Sequence, residues 1–431
     1  MPVNTNRVAS IILGGGEGKR LYPLTRSRCK PAISFAGRYL LIDIPISNSL
    51  NSHIHKIFVL TQFLSSPLNR HILDTYRLST FSQGFIEVLG PEQKPERKLW
   101  YEGTADAVRK NLEYFRRTPV DYFIILSGDQ LYRMNFLNML SVAQNTGADL
   151  TIATLPVKRE DAKRMGVLRA DKRAHITDFY EKPQEDEILD RFRVDPSHSL
   201  LTDSNIQLPG DDCYLASMGI YVFKRQALFD LLEKDDREDF GKHLIPTQID
   251  EGNVSVYLHD GYWEDIGTVS SYYHANLAMT KANPGLNCYD ELNTIYSSHY
   301  HLPGPKIYNS HINSSIICEG SIVEAESISN SILGTRSVVQ GGTVIKDSYI
   351  AGNDFYAHPI PSGQDGTGDR PYIGKNCHLD KVVLDRNVIL GNGVKLINSK
   401  GLNDYDSENV FIRDGIIVVK EGACLPDGFE L

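Results

Sequence analysis

"SIILGGGEGKRL", residues 10–21, places an apolar run directly before four glycines and two cations. A buried strand that ends in glycines is typical of an anion-binding loop, because glycine lets backbone N–H groups approach a phosphate closely. A tight turn between a strand and a helix, with two solvated cations, is the alternative. The spacing fits neither a Walker loop nor a dinucleotide loop, since three residues separate Gly14 from Gly18 and the glycines read G-x-G-x-G.

The composition of the chain limits its class and its partners. A length of 431 residues, with 41% hydrophobic and 23% charged residues, predicts a soluble protein of two domains, with three as the alternative. The net charge of −9 argues against nucleic acid or an anionic membrane as the main partner. The six cysteines are scattered, which favours a reducing compartment over a disulfide framework or a metal cluster. The apolar stretches are too short to span a membrane, and the first begins at Val8, too early for a leader peptide, so we expect a cytoplasmic protein.

Short apolar runs alternate with helix-like segments as far as about residue 282. The pattern of strands buried on both faces occurs in "RVASIIL" (7–13), "KIFVLTQ" (56–62), "YFIILSG" (122–128) and "LTIATLPV" (150–157). "GTADAVRKNLEYFRR" (103–117) has the pattern of an amphipathic helix. The alternation predicts an α/β domain over residues 1–282, with a doubly wound and mostly parallel sheet. Ligands on such sheets bind at the carboxyl ends of the strands, where the glycine loop lies.

The period of the apolar residues changes beyond this domain. They recur every six positions at Ile316, Ile322 and Ile328, at Ile332, Val338, Val344 and Ile350, and again over 373–379 and 388–394. This recurrence predicts a parallel β-helix over residues 306–431, and a β-sandwich is the alternative. The proline-bearing residues 283–305 are predicted to connect the two domains, and residues 352–374 to form a long loop between coils.

A set of longer motifs gives the chain a family resemblance. In order, it carries "GGGEGKRLYPLT" (14–25), "LIDIPISNSLNS" (41–52), "WYEGTADAVRKNL" (100–112), "SGDQLYRM" (127–134), "EKPQ" (181–184), "ASMGIYVF" (216–223), "DFGKHLIP" (239–246) and "GYWEDIGT" (261–268). These motifs closely resemble those of the ADP-glucose pyrophosphorylases, within the sugar-nucleotide pyrophosphorylase family. The resemblance implies a Rossmann-like nucleotidyltransferase domain of the GT-A type, a left-handed β-helix and a homotetramer. It also implies the reaction of ATP with glucose 1-phosphate to give pyrophosphate and ADP-glucose, the precursor of glycogen or starch.

The chemistry of that reaction agrees with the residue types present. The attacking group is itself a phosphate oxygen, largely dianionic at pH 7 because its second pKa is about 6. The reaction therefore needs in-line positioning, a divalent ion and cations rather than a general base. The sequence shows no obvious Ser–His–Asp or Cys–His arrangement, and such a reaction does not need one.

The metal and nucleotide ligands are assigned from the resemblance. Asp129 follows the buried run "YFIILSG", where a carboxylate can bind Mg²⁺ or cap a helix. The resemblance makes Asp129 and Asp265 the two Mg²⁺ ligands. It assigns the triphosphate to Arg20, Lys30 and the backbone of Leu13, Gly14, Gly15 and Gly16, and the adenosine side to Gln62, Tyr101, Gly103 and Thr104.

The sugar-phosphate ligands are also assigned from the resemblance. An E-K-P triplet by itself is typical of a surface turn. In the family, Lys182 would bind the phosphate of glucose 1-phosphate and Glu181 the sugar hydroxyls, with Gly166, Ser217 and Asp265 completing the substrate pocket. We expect Arg20, Asp129 and Lys182 to act in catalysis.

Regulated members of the family bind an anionic effector between the two domains. Here Arg28 and Arg386 are the candidate effector ligands, but Ser27, Ser34 and Leu40 stand where further polar or basic residues are expected. The sequence therefore predicts weak activation by a sugar phosphate.

Three other functions fit parts of the sequence. A related enzyme would use UTP, CTP or GTP instead of ATP. A regulatory, non-catalytic subunit would keep the fold but lose a catalytic side chain, whereas Arg20, Asp129, Lys182 and Asp265 are all present. An acyltransferase would need a catalytic histidine in the β-helix, for which His311 and His378 are the candidates.

Overall fold

The computed structural model describes residues 3–431 apart from residues 80, 95, 96, 99, 196, 203–205, 207, 211, 300 and 357–371. Most of the loop predicted over 352–374 lies outside the described residues. Within the described part of the chain, no helix combines the length and the apolar character needed to cross a membrane.

Strands and helices alternate in the first part of the chain. The strands are β1 Val8–Leu13, β2 Ser34–Phe35, β3 Tyr39–Leu40, β4 Lys56–Leu60, β5 Phe85–Leu89, β6 Gln93–Lys94, β7 Arg97–Lys98, β8 Tyr122–Ser127, β9 Gln130–Tyr132, β10 Leu150–Lys158, β11 Gly166–Ala170, β12 Ile176–Glu181, β13 Arg193–Val194, β14 Cys213–Lys224, β15 Val254–Leu258 and β16 Trp263–Asp265. The helices are α1 Asp43–Asn51, α2 Ser66–Thr75, α3 Thr104–Lys110, α4 Leu112–Arg117, α5 Phe136–Thr146, α6 Arg159–Ala162, α7 Asp186–Asp190, α8 Ser199–Thr202, α9 Arg225–Lys234, α10 Ile245–Glu251 and α11 Val269–Ala278.

One ten-stranded sheet organises this domain. β1 lies between β4 and β8 and pairs with both in parallel, and β5 extends the parallel part beyond β4. β10 and β15 form a second parallel pair. The long strand β14 joins the two parts, because it pairs antiparallel with both β8 and β10. The Rossmann-like α/β sheet predicted from the sequence is confirmed.

Both faces of the sheet are buried. Val8 and Ile12 of β1 pack into one apolar cluster with residues of α1, α2 and α5. Ala9 and Ile11 of the same strand pack into another, with residues of α3, α4 and α9. Since successive side chains of a strand point to opposite faces, these two clusters lie on opposite sides of the sheet. The doubly wound arrangement follows from this alternation.

Short parallel strands stacked in coils form the second part of the chain. They are β17 Lys306–Ile307, β18 His311–Asn313, β19 Ile316–Ile317, β20 Ile322–Val323, β21 Ser327–Ser329, β22 Ile332–Leu333, β23 Val338–Val339, β24 Val344–Lys346, β25 Tyr349–Ile350, β26 His378–Asp380, β27 Val382–Leu384, β28 Ile389–Leu390, β29 Lys395–Leu396, β30 Tyr405–Asp406, β31 Val410–Arg413, β32 Ile416–Val419 and β33 Cys424–Leu425. β19 pairs in parallel with β22, and β22 with β25, one coil apart. The coiled parallel strands predicted from the six-residue recurrence are confirmed.

The six-residue recurrence locates the strands but not every inward-facing residue. Ile322 is 37% exposed, whereas Val323 beside it is fully buried. Val339 and Ile345 are likewise the buried members of their strands, one position after the recurring valines. Many of these strands carry two adjacent apolar residues, and only one of an adjacent pair can face inward. The pattern alone does not distinguish them.

The two domains share a buried apolar core. The rings of Tyr272 on α11 and Tyr349 on β25 meet edge to face, with centroids 5.5 Å apart and planes at 83°. Both tyrosines bind Ser34: the Tyr272 hydroxyl donates to its carbonyl oxygen at 2.7 Å, and the Tyr349 hydroxyl lies 3.1 Å from its Oγ. These contacts fix the β-helix against the segment that follows the glycine loop.

Candidate active site

Two carboxylates from distant parts of the chain converge at the carboxyl end of β8. Asp129 follows β8 after Gly128, and Asp265 ends β16. β9 and β16 pair antiparallel with Asp265 opposite Gln130, so Asp265 is a near neighbour of Asp129. The Lys30 ammonium contacts both carboxylates, at 2.5 Å from Asp129 Oδ2 and 3.7 Å from Asp265 Oδ1. The structure therefore brings together three residues that the sequence related only by resemblance.

The pKa values of the two carboxyl groups are shifted in opposite directions. Burial tends to raise the pKa of Asp129, but the adjacent Lys30 ammonium and the Ser127 hydroxyl outweigh it and hold that pKa below its usual value. Burial raises the pKa of Asp265 above its usual value; Lys30, Arg20 and Lys182 act against this rise, and the Asp129 charge adds to it. Lys30 is nearer to Asp129, which explains why the two pKa values move apart. All three predicted cations thus act on Asp265.

The residues present fit a magnesium ion that is completed by substrate. Among the described residues, no group of three or more His, Cys, Asp or Glu side chains is arranged to hold a metal by itself. Mg²⁺ usually binds through one or two carboxylates together with substrate phosphates and water. Asp129 and Asp265 are therefore the residues that could hold it.

The glycine loop is bound to the strands on both sides of β1. The Gly14 N–H donates to the Leu60 carbonyl at 2.7 Å, where a β-carbon would come within 3.1 Å of the same oxygen. The Leu13 carbonyl accepts from the Gly128 N–H at 3.0 Å, which joins this loop to the one that carries Asp129. Gly15 is half-buried and Gly16 is exposed. A β-carbon at Gly14 would make a contact tighter than an ordinary van der Waals contact, so glycine favours the close packing of the loop on the sheet there.

Arg20 lies at the same edge as the carboxylates. It belongs to a short 3₁₀ turn, Lys19–Leu21, and its side chain is exposed. A β-carbon on Gly267 would lie 3.1 Å from Asp265 Oδ2 and 3.5 Å from Arg20 Nη2, so the guanidinium and the carboxylate flank this glycine. Arg20 also lines a cleft of about 700 Å³ that opens between the glycine loop and the β-helix, together with Glu17, Lys19, Tyr22, Thr25, Thr268, Val269, Arg413 and Asp414.

The residues assigned to the adenosine side form one connected edge. The side-chain amide of Gln62 binds the Tyr101 backbone twice, donating to its carbonyl at 3.2 Å and accepting from its N–H at 2.5 Å. The Tyr101 hydroxyl accepts from Asn111 Nδ2 at 2.9 Å. A β-carbon on Gly15 would lie 3.4 Å from Gln62 Cβ, so this edge adjoins the glycine loop.

The turn at Gly103 and Thr104 packs against an acidic stretch. A β-carbon on Gly103 would lie 2.3 Å from the Glu238 carbonyl oxygen. Thr104 Oγ1 accepts from the Phe240 N–H at 3.1 Å. The composition of residues 233–239 predicts a solvated loop, but this interpretation is wrong in part. Asp235 is buried, and its hydrogen bond with Arg237 lowers its pKa to about 2.

The residues assigned to the sugar phosphate lie across three neighbouring strands. Gly166 on β11 pairs with Glu181 on β12, and Ser217 follows Ala216, the β14 partner of Val167. Lys182 has a φ of +51°, and its Nζ lies 3.0 Å from Glu181 Oε1. A left-handed backbone is uncommon for a residue with a β-carbon, and the Lys182 ammonium that follows it lies beside the Glu181 carboxylate.

Gly241 is a residue of this region that sequence reasoning missed. A β-carbon there would lie 2.8 Å from Glu181 Oε2, and one on Gly166 would lie 2.7 Å from the same atom. The two glycines therefore leave room for the Glu181 carboxylate from two sides. The motif "DFGKHLIP" contained Gly241, but its contact lies 60 residues away in the chain, and local spacing does not reveal such a contact.

The candidate effector residues are held in ion pairs, Arg28 with carboxylates of the β-helix domain and Arg386 with a carboxylate within that domain. Arg28 is buried and binds Asp385 through both nitrogens, at 3.0 and 3.2 Å, and Glu421 at 2.8 Å. Arg386 Nη1 lies 2.6 Å from Asp354 Oδ1. Ser27 Oγ donates to Glu421. At the candidate effector site, the arginines are therefore already paired with carboxylates of the protein.

Ser34 and Leu40 face the core rather than an effector. Both are buried, and Ser34 binds the two interdomain tyrosines. Arg38, beside them in sequence, pairs with Glu319 at 2.9 Å. In the β-helix, His311 and His378 are exposed on β18 and β26, strands of one sheet with β21 and β24 between them.

Comparison with known families identifies the class of both domains. The chain matches the nucleotidyl transferase family over residues 9–282 and belongs to that family. Residues 300–429 match the GLGC left-handed parallel β-helix domain. This match identifies the coils of the second domain as left-handed. The combination of the two domains is that of a sugar-phosphate nucleotidyltransferase.

Proposed function

We propose that the chain is a glucose-1-phosphate adenylyltransferase, which converts ATP and α-D-glucose 1-phosphate into ADP-glucose and pyrophosphate for glycogen or starch synthesis. The observation that carries the proposal is the convergence of Asp129 and Asp265 on Lys30 beside the glycine loop. The GLGC β-helix behind the nucleotidyl transferase domain supports this choice of substrates.

The reaction requires little proton chemistry from the protein. A phosphate oxygen of glucose 1-phosphate forms a bond to the α-phosphorus of ATP. The bond between that phosphorus and the oxygen bridging to the β-phosphate breaks, and pyrophosphate leaves with the electron pair. The protein's task is to align these atoms and to offset the charges of two polyanions.

The cations divide this task between the two substrates. Arg20 and Lys30 bind the triphosphate, and Lys182 binds the phosphate of the sugar. Mg²⁺ held by Asp129 and Asp265 would supply additional positive charge at the phosphate oxygens. Because Asp265 is influenced by all three cations, it lies between the two phosphate groups in this proposal.

The sugar is bound on the side away from the glycine loop. Glu181 accepts hydrogen bonds from sugar hydroxyls, and its position between Gly166 and Gly241 limits how far its carboxylate can move. Ser217 adds a hydroxyl at the same edge of the sheet. A carboxylate held in this way accepts hydrogen bonds from the hydroxyls of a sugar ring, which an apolar group cannot donate.

The formation of products tests the proposal directly. Purified protein incubated with ATP, glucose 1-phosphate and MgCl₂ should release pyrophosphate and ADP-glucose in equal amounts, and EDTA should stop the reaction. A folded protein that forms no nucleotide sugar would favour the non-catalytic subunit instead.

A further inference from the structure

Asp43 is a buried carboxylate that binds three separate segments of the chain. Its side chain is 0% exposed, in the first turn of α1. It accepts from the Leu40 N–H at 2.9 Å, and its oxygens lie 2.5 Å from His71 Nε2 and 2.6 Å from the Tyr76 hydroxyl. Ser297 Oγ donates to it at 2.7 Å. A buried carboxylate is stable only when it is satisfied in this way, so these donors make Asp43 a fixed point.

Residues 296–298, which belong to the predicted connection between the domains, are bound along α1 and α2. Ser298 Oγ lies 3.3 Å from His71 Nδ1 and 2.5 Å from Thr75 Oγ1, both on α2. The Tyr296 N–H donates to Ser47 Oγ on α1 at 2.9 Å. This part of the connection is therefore a bound segment rather than a loose tether.

The same face of α2, one to two turns closer to its N-terminus, packs against the loops of the candidate active site. Leu68 is fully buried, and a β-carbon on Gly14 would lie 3.5 Å from its Cδ2. Just before α2, the Leu64 carbonyl accepts from the Cys29 N–H at 3.3 Å, next to Lys30. α2 thus contacts the bound connection through its C-terminal turns and the loops that carry Gly14 and Lys30 through its N-terminal end.

We propose that Asp43 and His71 are positioning residues for the nucleotide side of the active site. By binding Ser297 and Ser298, they hold α2 against the Gly14 and Lys30 loops and so keep those loops in the geometry that binds a triphosphate. This inference rests on the proposed function, which supplies the nucleotide. The sugar side is built on β11, β12 and β14 and has no part in these contacts. Loss of the contacts should therefore weaken nucleotide binding selectively.

The test separates this role from general stabilisation. The double variant Ser297→Ala/Ser298→Ala should raise KM for ATP about tenfold, the effect of roughly one hydrogen bond to a charged group. Its kcat and its KM for glucose 1-phosphate should stay near those of the wild type. The matched control is Ser47→Ala, which removes a contact of the same segment with α1 but leaves α2 bound, and should change neither KM. His71→Gln, which keeps an N–H able to reach Asp43, should be less impaired than His71→Ala.

Amide hydrogen exchange gives a readout that does not depend on activity. Exchange at residues 14–20 and 28–33 should be faster in the double variant than in Ser47→Ala. Equal exchange in the two variants, an unchanged KM for ATP in the folded double variant, or equal rises in both KM values would overturn the proposal. If the wild type makes no ADP-glucose, the proposed function fails, and the exchange comparison still decides whether α2 is held in this way.

Discussion

The Lys30 ammonium lies 2.5 Å from the Asp129 carboxylate, and this contact joins the segment after the glycine loop to the end of β8. The same ammonium is 3.7 Å from Asp265, which arrives from β16, outside the main sheet. One cation thus holds two carboxylates of like charge close together, which would otherwise repel each other. Under the proposed function, Mg²⁺ and the substrate phosphates would take over part of the interaction of these carboxylates with Lys30.

Asp129→Asn should lower kcat by at least ~100-fold, because the variant loses a negative charge needed to hold the ion that stabilises the transition state. Folding should be intact, as measured by circular dichroism. The matched control is Asp121→Asn, which removes the exposed ion pair with Arg7 at the opposite end of the same strand. Near-normal turnover of Asp129→Asn would remove Asp129 from the site.

Lys182→Gln should raise KM for glucose 1-phosphate and leave KM for ATP nearly unchanged, since the two substrates use different cations. Steady-state kinetics with each substrate varied in turn measures both constants. Lys163→Gln is the control, because Lys163 is a half-buried lysine that pairs with Asp186, an exposed residue of α7. Equal losses for both substrates would show that Lys182 acts on folding or on the chemical step.

Part of the site could be predicted from sequence, because ligands on parallel sheets bind at the carboxyl ends of the strands. Asp129 follows a run that is buried on both faces, so its place at the ligand edge follows from the parallel sheet. The position of Asp265 does not follow from that rule, because β16 pairs with β9 in a separate two-stranded ribbon. Its place beside Asp129 came only from the resemblance.

Contacts between distant residues account for what the sequence did not reveal. Gly241 is needed because of Glu181, and Arg28 is neutralised by Asp385 and Glu421 from the β-helix. Neither partner lies near in sequence. Residue type indicated a cation at Arg28, but only the fold shows which carboxylates surround it.

Fructose 1,6-bisphosphate should activate this enzyme by less than the ~5-fold that marks ordinary allosteric coupling. Each charge-assisted bond to a phosphate contributes roughly 1.5–3 kcal/mol, and Ser27, Ser34 and Leu40 supply no cation. Arg28 is already bound to two carboxylates. Initial rates at low substrate, with and without the bisphosphate, measure the effect. Arg386→Ala should reduce any response that survives.

Strong activation by the bisphosphate would contradict this account of the interdomain site. It would mean that Arg26 or Arg38 replaces the missing charges, and Arg38 would first have to leave Glu319. Arg26→Ala or Arg38→Ala, whichever removes the replacing cation, would then abolish the activation, whereas neither should affect a weak response.

The protein should form a homotetramer at micromolar concentration. Coiled parallel strands leave terminal coils that need covering, and β17 and β18 at one end of the β-helix are exposed. Light scattering coupled to size exclusion should give four times the chain mass. A monomer across the micromolar range would be inconsistent with this expectation.

The most direct test of the proposed function is the rate of pyrophosphate release with ATP, UTP, CTP and GTP, each with glucose 1-phosphate and Mg²⁺. The nucleotide sugar is identified in every reaction by mass spectrometry, and Asp129→Asn serves as the inactive reference. We predict that ATP has the highest kcat/KM and that ADP-glucose is the product. A higher kcat/KM with another nucleotide, or no nucleotide sugar with any of the four, would contradict it.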